Sequence, residues 1–396
     1  MSILKKTRLQ SPVWDMTSYW EQRAIESVKR YEKSVNQKTA EIVKSFEESR
    51  KAINQLIYSF YGRYAKNNQI TLEEAKKALS RKELAEFKGD LKEYEKLARN
   101  SIGTFNLEVE NLSTKARLVR LDALLMQIDA ELQTLYQKLR EDITDTVEQV
   151  TLEEYYRGQY ALSISTQKLF VFSKIPKAFI AQVLAELVEG ADISTRLWRQ
   201  DIDTGFYIRQ TLNRMFIEGK PPQYFAEELA KKIGAVQVDK DGNVTGSGKK
   251  YEAYRLLYNE SSYATGQARL KSYIESGVPF YEITATLDTH TTPNCRSLDG
   301  CIFSVTKGGD VPDKYRKADS EYRRAAYDTT RVILGVNYPP FHVNCRSVAT
   351  PFYEDMDTSM MKRAARDADG KTIYVPADMK YQEWYDEYIK GKTSES

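Results

Sequence analysis

The sequence predicts a mainly α-helical protein, with a long helical N-terminal body followed by a smaller α+β domain. Three observations carry that reading. The first hundred residues are rich in Glu, Lys, Ala, Gln and Leu with almost no Gly or Pro, the composition of long exposed helices. Apolar residues then recur at helical steps as far as about Ile217. After Val238 a Gly/Asp/Lys stretch interrupts the pattern, and beyond it a helix leads into short alternating, strand-like runs. The chain accordingly reads as helical hairpins over 1–100, a central helical region over 101–237, a linker loop over 238–250, an α+β domain over 251–355, and a C-terminal tail over 356–396 able to form a hairpin.

In the first segment Ile42, Phe46, Ile53, Ile57 and Phe60 form one apolar stripe at steps of three, four and seven residues. Thr71 with Glu74 three residues on makes a capping box, which begins a new helix, so bent hairpins are expected rather than one rod. A second block, from about Ser113 to Val150, holds Leu118, Leu121, Leu125, Ile128, Leu132 and Leu135 in helical register. A third surrounds Ala178 to Leu187 and continues through Trp198 to Ile217. Between them LSISTQKLFVF (162–172) fits either a short strand or the start of a buried helix.

In KPPQYFAEELAKKIG (220–234), Pro222 suits a first helical turn and Gly234 a C-cap. The loop VDKDGNVTGSGKK (238–250) contains Asp-x-Asp-Gly, as a calcium loop would, but its glycine is out of register and the closing glutamate is missing. A β-turn is therefore expected. A second Asp-x-Asp-Gly, Asp367 to Gly370, reads as a turn into the strand KTIYVP. From Tyr251 a helix runs to Gly277, and FYEITATLD and CIFSV follow as strands.

Composition excludes several classes. Lys and Arg number 59 against 56 Asp and Glu, a formal charge of +3, so the chain is not a polycation that coats nucleic acid and any DNA contact is local. No run approaches eighteen apolar residues, so no membrane span is expected. The N-terminus has a basic start without an apolar signal core, and three cysteines are an odd count, which points to synthesis in a reducing compartment. The 27 tyrosines suit either half-hydrated protein interfaces or ordinary helix packing.

All three cysteines and both histidines fall between His290 and Cys345, within DTHTTPNCRSLDGC (288–301) and YPPFHVNCRS (338–347). One reading is a structural metal site: Cys295, Cys301, His342 and Cys345 would supply the four ligands that zinc takes, with His290 as the alternative to Cys301. Another is catalysis, by a Cys-His pair with Asp288 or Asp299, or by a nuclease set of His290, Asn294 and His342. Neither has a supporting local signature, and no enzyme is expected. The third is plain packing, in which buried cysteines and hydrogen-bonded histidines pin two loops while Arg296 and Arg346 brace carboxylates or carbonyls.

The run from Arg255 to Arg346 also resembles a known family. YNESSYATGQARLKSYIESGV, a strand, Asp-x-x-Thr-x-x-x-Cys-Arg-x-Leu-Asp-Gly, and then Pro-Pro-x-His-x-Asn-Cys-Arg stand in the order found in the phage Mu F-like (SPP1 gp7-like) minor head protein family. Asp288, Thr291, Cys295, Leu298, Asp299 and Gly300 fill the first motif, and Pro339, Pro340, His342, Asn344, Cys345 and Arg346 the second. SYWEQRAIE near the N-terminus and the helix at 220–234 are more weakly similar. Many members carry cysteines at the places held here by Thr292 and Ser347, so a four-cysteine site is not available.

The resemblance implies a Mu F-like C-terminal domain in a minor capsid component. Such a protein is made in the host cytoplasm and carried in the virion, at the portal vertex or capsid interior. It acts in head morphogenesis and in DNA packaging or ejection, without catalysis. Its expected partners are the portal protein, the capsid shell or scaffold, and double-stranded DNA, with no membrane. Candidate DNA contacts are Lys314, Arg316, Lys317, Arg323 and Arg324, with further basic groups at Lys5, Lys6 and Arg8 and at Lys362, Arg363 and Arg366. The competing readings are a DNA-binding adaptor with a zinc-stabilised domain and, further off, a toxin or processing enzyme, which would need a catalytic domain beyond the fifty-odd residues after Cys345.

Overall fold

A computed structural model describes residues 16–67, 112–166, 174–185, 191–218, 220–238, 244–317, 319–354, 362–367, 369, 371–376, 379 and 381–390. The protein is mainly helical, with a helical N-terminal body and a small sheet-containing C-terminal region. Helices α1 (Met16–Asn67), α2 (Leu112–Thr166), α3 (Lys177–Ala185), α4 (Ile193–Glu218) and α5 (Pro222–Ile233) come first, and α1 is one continuous helix of 52 residues. The expected capping box at Thr71 and Glu74 lies outside the described residues. Leu162–Thr166 belongs to α2, so that part of the ambiguous LSISTQKLFVF run is helix.

Met1–Ser34, Val147–Val183 and Tyr258–Ser396 form one compact unit, and Val35–Thr146 with Leu184–Leu257 form a second. Both are assembled from discontinuous pieces, whereas the sequence reading cut the chain into successive segments. Helices of 52 and 55 residues outrun a single core, so one helix supplies two units in turn.

In the second unit the α1 stripe is buried as its spacing predicts: Ile42, Phe46, Ile53 and Ile57 are at most 1% exposed, while Phe60 is only half-buried. On α2 the buried row runs through Leu124, Ile128, Leu132, Leu135 and Leu139, with Leu125 half-buried beside it. In α5, Pro222 occupies the first turn and Phe225, Leu229 and Ile233 face inward. Gly234 ends it at φ 71°, where a Cβ would lie 2.0 Å from the Ser247 carbonyl oxygen. The linker at 238–250 holds more structure than expected: β1 (Val236–Val238) and β2 (Val244–Gly246) pair antiparallel, and α6 (Gly248–Glu275) starts at once.

The first unit contains the later part of α6 and the sheet. Strands β3 (Phe280–Thr284), β4 (Ile302–Ser304) and β5 (Val348–Phe352) lie in the order β4-β3-β5, all antiparallel, with the short helix α7 (Pro293–Leu298) between β3 and β4, and α8 (Glu321–Tyr327) before β5. Alternation on β3 sends Tyr281 and Ile283 into the core. There Tyr281 packs against Phe303 and Tyr338 with ring centroids 5.8 and 5.0 Å apart, and Phe303 lies 4.6 Å from Tyr327.

Tyr273 and Tyr281 donate to the carbonyls of Ala349 (2.9 Å) and Asn337 (3.1 Å), so these tyrosines serve internal packing rather than an interface. The tail forms the hairpin expected of it: β6 (Lys362–Arg366) pairs with β7 (Thr372–Pro376), and the Asp367 carboxylate accepts from the Lys371 amide at 2.9 Å. Trp384, fully buried, donates its indole N–H to the Arg366 carbonyl at 2.9 Å. Among the described residues no helix is long and apolar enough to cross a membrane.

Candidate metal centre

The first motif is a strand end, a turn and one helix. After β3 the chain turns at Asp288, whose carboxylate accepts from the amide of His290 and the hydroxyl of Thr291, both at 3.0 Å. The Thr292 hydroxyl accepts from the Cys295 amide and so caps α7, which aims Cys295 inward. Leu298 enters the core, the Asp299 carboxylate accepts from the Ala285 amide at 2.9 Å, and Gly300, at φ 68°, returns the chain to β4 with its amide on the Ile283 carbonyl at 2.8 Å.

The second motif is a tight turn before β5. A cis bond joins Pro339 and Pro340, and the next residues fold so that the Cys345 amide reaches the His342 carbonyl at 3.1 Å. Asn344 takes φ 58°, and its amide donates to the side chain of Asn259 on α6 at 3.0 Å. Arg346 then makes a two-pronged ion pair with Asp288, one contact at 2.8 Å, which joins the motifs across 58 residues.

Where the motifs meet, Cys295, His342 and Cys345 present their ligand atoms within 4.8 Å of one another and can hold a metal ion. The Cys295 sulfur lies 3.1 Å from His342 Nε2 and 3.8 Å from the Cys345 sulfur. His342 Nδ1 faces the Val343 carbonyl at 2.8 Å, and a carbonyl only accepts, so Nδ1 carries a proton and Nε2 is the ring nitrogen turned to the Cys295 sulfur, the one a metal would take from the neutral ring. The thiols are unequal: the Cys295 thiol and His342 pull Cys345 down despite its burial, while Cys345 and burial push Cys295 up. Cys345 in turn raises His342. The adjoining cavity, about 30 Å³, is bordered by His290, Thr292, Cys295, His342, Asn344 and Ser347, space for an ion or a water.

Cys301 is not part of this group, contrary to its expected role as fourth ligand. It stands just before β4 and faces the core, with its sulfur 3.8 Å from the Ser297 carbonyl, because the turn through Gly300 carries it away from Cys295. His290, the alternative, is exposed at the rim of the cavity.

The basic residues proposed for DNA are mostly engaged within the chain. Lys314 pairs with Glu354 at 3.2 Å, Arg316 with Asp328 at 3.3 Å, and Lys317 donates to the Gly300 carbonyl at 3.3 Å. Arg323 binds Asp319 at 2.7 Å and braces the Ser297 carbonyl, whereas Arg324 is simply exposed. Lys5, Lys6 and Arg8, and the side chains of Lys362 and Arg363, lie outside the described residues. Arg296 braces the Thr291 carbonyl at 2.6 Å and lies 4.1 Å above the Tyr381 ring, which ties the tail to the first motif.

Asp288→Asn is expected to lower stability by about 2 kcal/mol near pH 7, since Arg346 loses a charged, largely buried partner. Burial disfavours the Asp288 carboxylate, but Arg346 holds it below the usual carboxylate range. A depressed folded value means the contribution is complete above the unfolded pKa of about 4 and is lost as pH falls through the folded one. Urea denaturation of both proteins in steps from neutral to acid pH should show the gap closing; a gap that stayed constant would contradict the assignment.

Comparison of the chain with family models, with curated proteins and with solved structures finds no match in any of the three. The centre must therefore be read from its own chemistry.

Proposed function

We propose that this chain is a minor head protein of the Mu F-like type, acting at the portal vertex or capsid interior in head assembly and in DNA packaging or ejection. Its C-terminal domain is held by a zinc ion on Cys295, His342 and Cys345. The observation that carries this reading is the meeting of the two motifs, through the Arg346 pair with Asp288 and the Cys-His-Cys group. The positions where many members carry cysteine, Thr292 and Ser347, border the same small cavity as Cys295 and His342.

The donor set favours zinc. Two cysteine sulfurs are soft ligands, an imidazole with a backbone-bonded Nδ1 is a borderline one that suits zinc, and tetrahedral zinc with Zn–S near 2.3 Å spaces two sulfurs about 3.8 Å apart. The sulfurs of Cys295 and Cys345 are separated by 3.8 Å. His290 or a water completes the shell. The ion would supply a cross-link between the motif ends and no reaction.

An exposed apolar row in the second unit supports the partner reading. Trp198, Ile202 and Phe206 recur every four residues on α4 and are 62, 51 and 66% exposed, an apolar row that suits a protein partner. Co-expression with the portal protein encoded alongside it, followed by size-exclusion chromatography with mass determination, should yield a complex at low and moderate salt. Trp198→Ala with Phe206→Ala should weaken it. A free monomer at both salts would sink the proposal.

A further inference from the structure

In the first unit a second cavity, of about 110 Å³, is walled by Arg23, Arg30, Glu154, Arg157 and Arg269, with Trp20 and Tyr160 among the remaining residues around it. It draws on α1, α2 and α6 and shares no residue with the Cys-His-Cys group. Four guanidinium groups thus face one carboxylate on the wall. That carboxylate is already committed: Glu154 accepts from Arg269 at 2.8 and 2.6 Å. Glu26, outside the wall, pairs with Arg23 at 3.1 Å and approaches Arg30 at 3.8 Å. Leaving aside Arg23, which has a further interaction, Arg30, Arg157 and Arg269 set three positive charges against Glu154 and Glu26, an excess of one. Arg157 makes no ion pair among the described residues.

Such an excess of like charge is unfavourable in a folded protein unless an anion offsets it. Arg30 registers the crowding: burial lowers it, and Arg157 and Arg23 lower it further against the pull of Glu154. Arg269 is 8% exposed and fixed by Glu154 and by the Ser27 hydroxyl at 2.8 Å, so one donor is held rigid at the base while Arg157 stands exposed. A fixed and an exposed planar fork around a small space match a tetrahedral oxyanion, which arginine binds through paired N–H groups. The volume admits several heavy atoms.

We propose that this cavity is a phosphate-binding site, formed by Arg30, Arg157 and Arg269. The phosphate belongs either to a nucleic-acid backbone or to a free phosphate ion; the shared chemistry is the tetrahedral oxyanion. The site needs only the cavity and does not depend on a role at the portal. The sequence-proposed basic patches are not part of it.

The test uses the full chain. Inorganic phosphate is titrated calorimetrically at constant ionic strength set with chloride, and a labelled short DNA duplex is followed by fluorescence anisotropy. Wild type should take up phosphate saturably, and Arg157→Ala should bind about tenfold more weakly, the loss of one charge-assisted contact. Arg30→Ala should weaken it likewise, and Arg316→Ala should not. Arg157 is exposed and unpaired, so its variant keeps the fold even where Arg30→Ala does not. A duplex that competes with phosphate and weakens in the same variants identifies a backbone phosphate; a duplex indifferent to them identifies the free ion. No saturable uptake of phosphate, or uptake that Arg157→Ala leaves unchanged, overturns the site.

Discussion

Glu154→Ala is expected to destabilise the protein by about 3–5 kcal/mol, because it strands a buried guanidinium. Glu154 and Arg269 are each 8% exposed and meet through two hydrogen bonds, of 2.8 and 2.6 Å, while Ser27 touches both. Burial disfavours the charge on Arg269, and Glu154 overrides it, raising the guanidinium above its ordinary value. Take the carboxylate away and the charge stays, since a guanidinium does not release its proton to relieve the strain. Guanidinium chloride denaturation of four proteins gives the answer: wild type, Glu154→Ala, Arg269→Met, and Glu154→Leu combined with Arg269→Met. The double variant should lose much less than Glu154→Ala, since it removes both buried charges together. A loss below about 1 kcal/mol in Glu154→Ala would mean that water reaches the pair.

Cys345→Ser should weaken zinc binding by more than about a hundredfold, beyond what loss of an outer-shell contact does. Cys345 is the thiol held low by Cys295 and His342, so it is the sulfur closest to the charged form that metals bind. Competition against a chromophoric chelator would give about one zinc per wild-type chain and far less occupancy in the variant. Cys301→Ser should leave zinc binding unchanged, as its sulfur belongs to the core. Ser347→Cys should tighten it by adding a thiol at the border of the cavity. Equal zinc affinity in wild type and Cys345→Ser would remove the metal from the account.

Much of the helical architecture was legible because helical signals are local. The α1 stripe, Pro222 and Gly234 at the ends of α5, and the alternation of β3 each depend on neighbours a few residues away, and each stands where its spacing put it. The pairing of the two motifs was half legible. Shared Cys-Arg dipeptides and the resemblance marked them, and Arg346 was expected to brace a carboxylate or a carbonyl, but not Asp288 in particular. Cys301 misled because its chain distance from Cys295 is short, while the turn at Gly300 points the two sulfurs different ways. The tyrosines were ambiguous because composition counts rings and cannot say what their hydroxyls touch.

By itself the sequence determined helix and strand content, the point after Val238 where the character changes, and the corner in which its sulfur and imidazole chemistry is gathered. Only the tertiary structure decided which of those side chains converge, that the compact units are discontinuous, and that Arg23, Arg30, Glu154, Arg157 and Arg269 share a wall. The reason is physical. Periodicity records which face of an element is apolar, a property of adjacent turns, whereas a cavity depends on charges brought together from positions 115 residues apart, as Glu154 and Arg269 are. No local pattern encodes that meeting; the paths of three helices do.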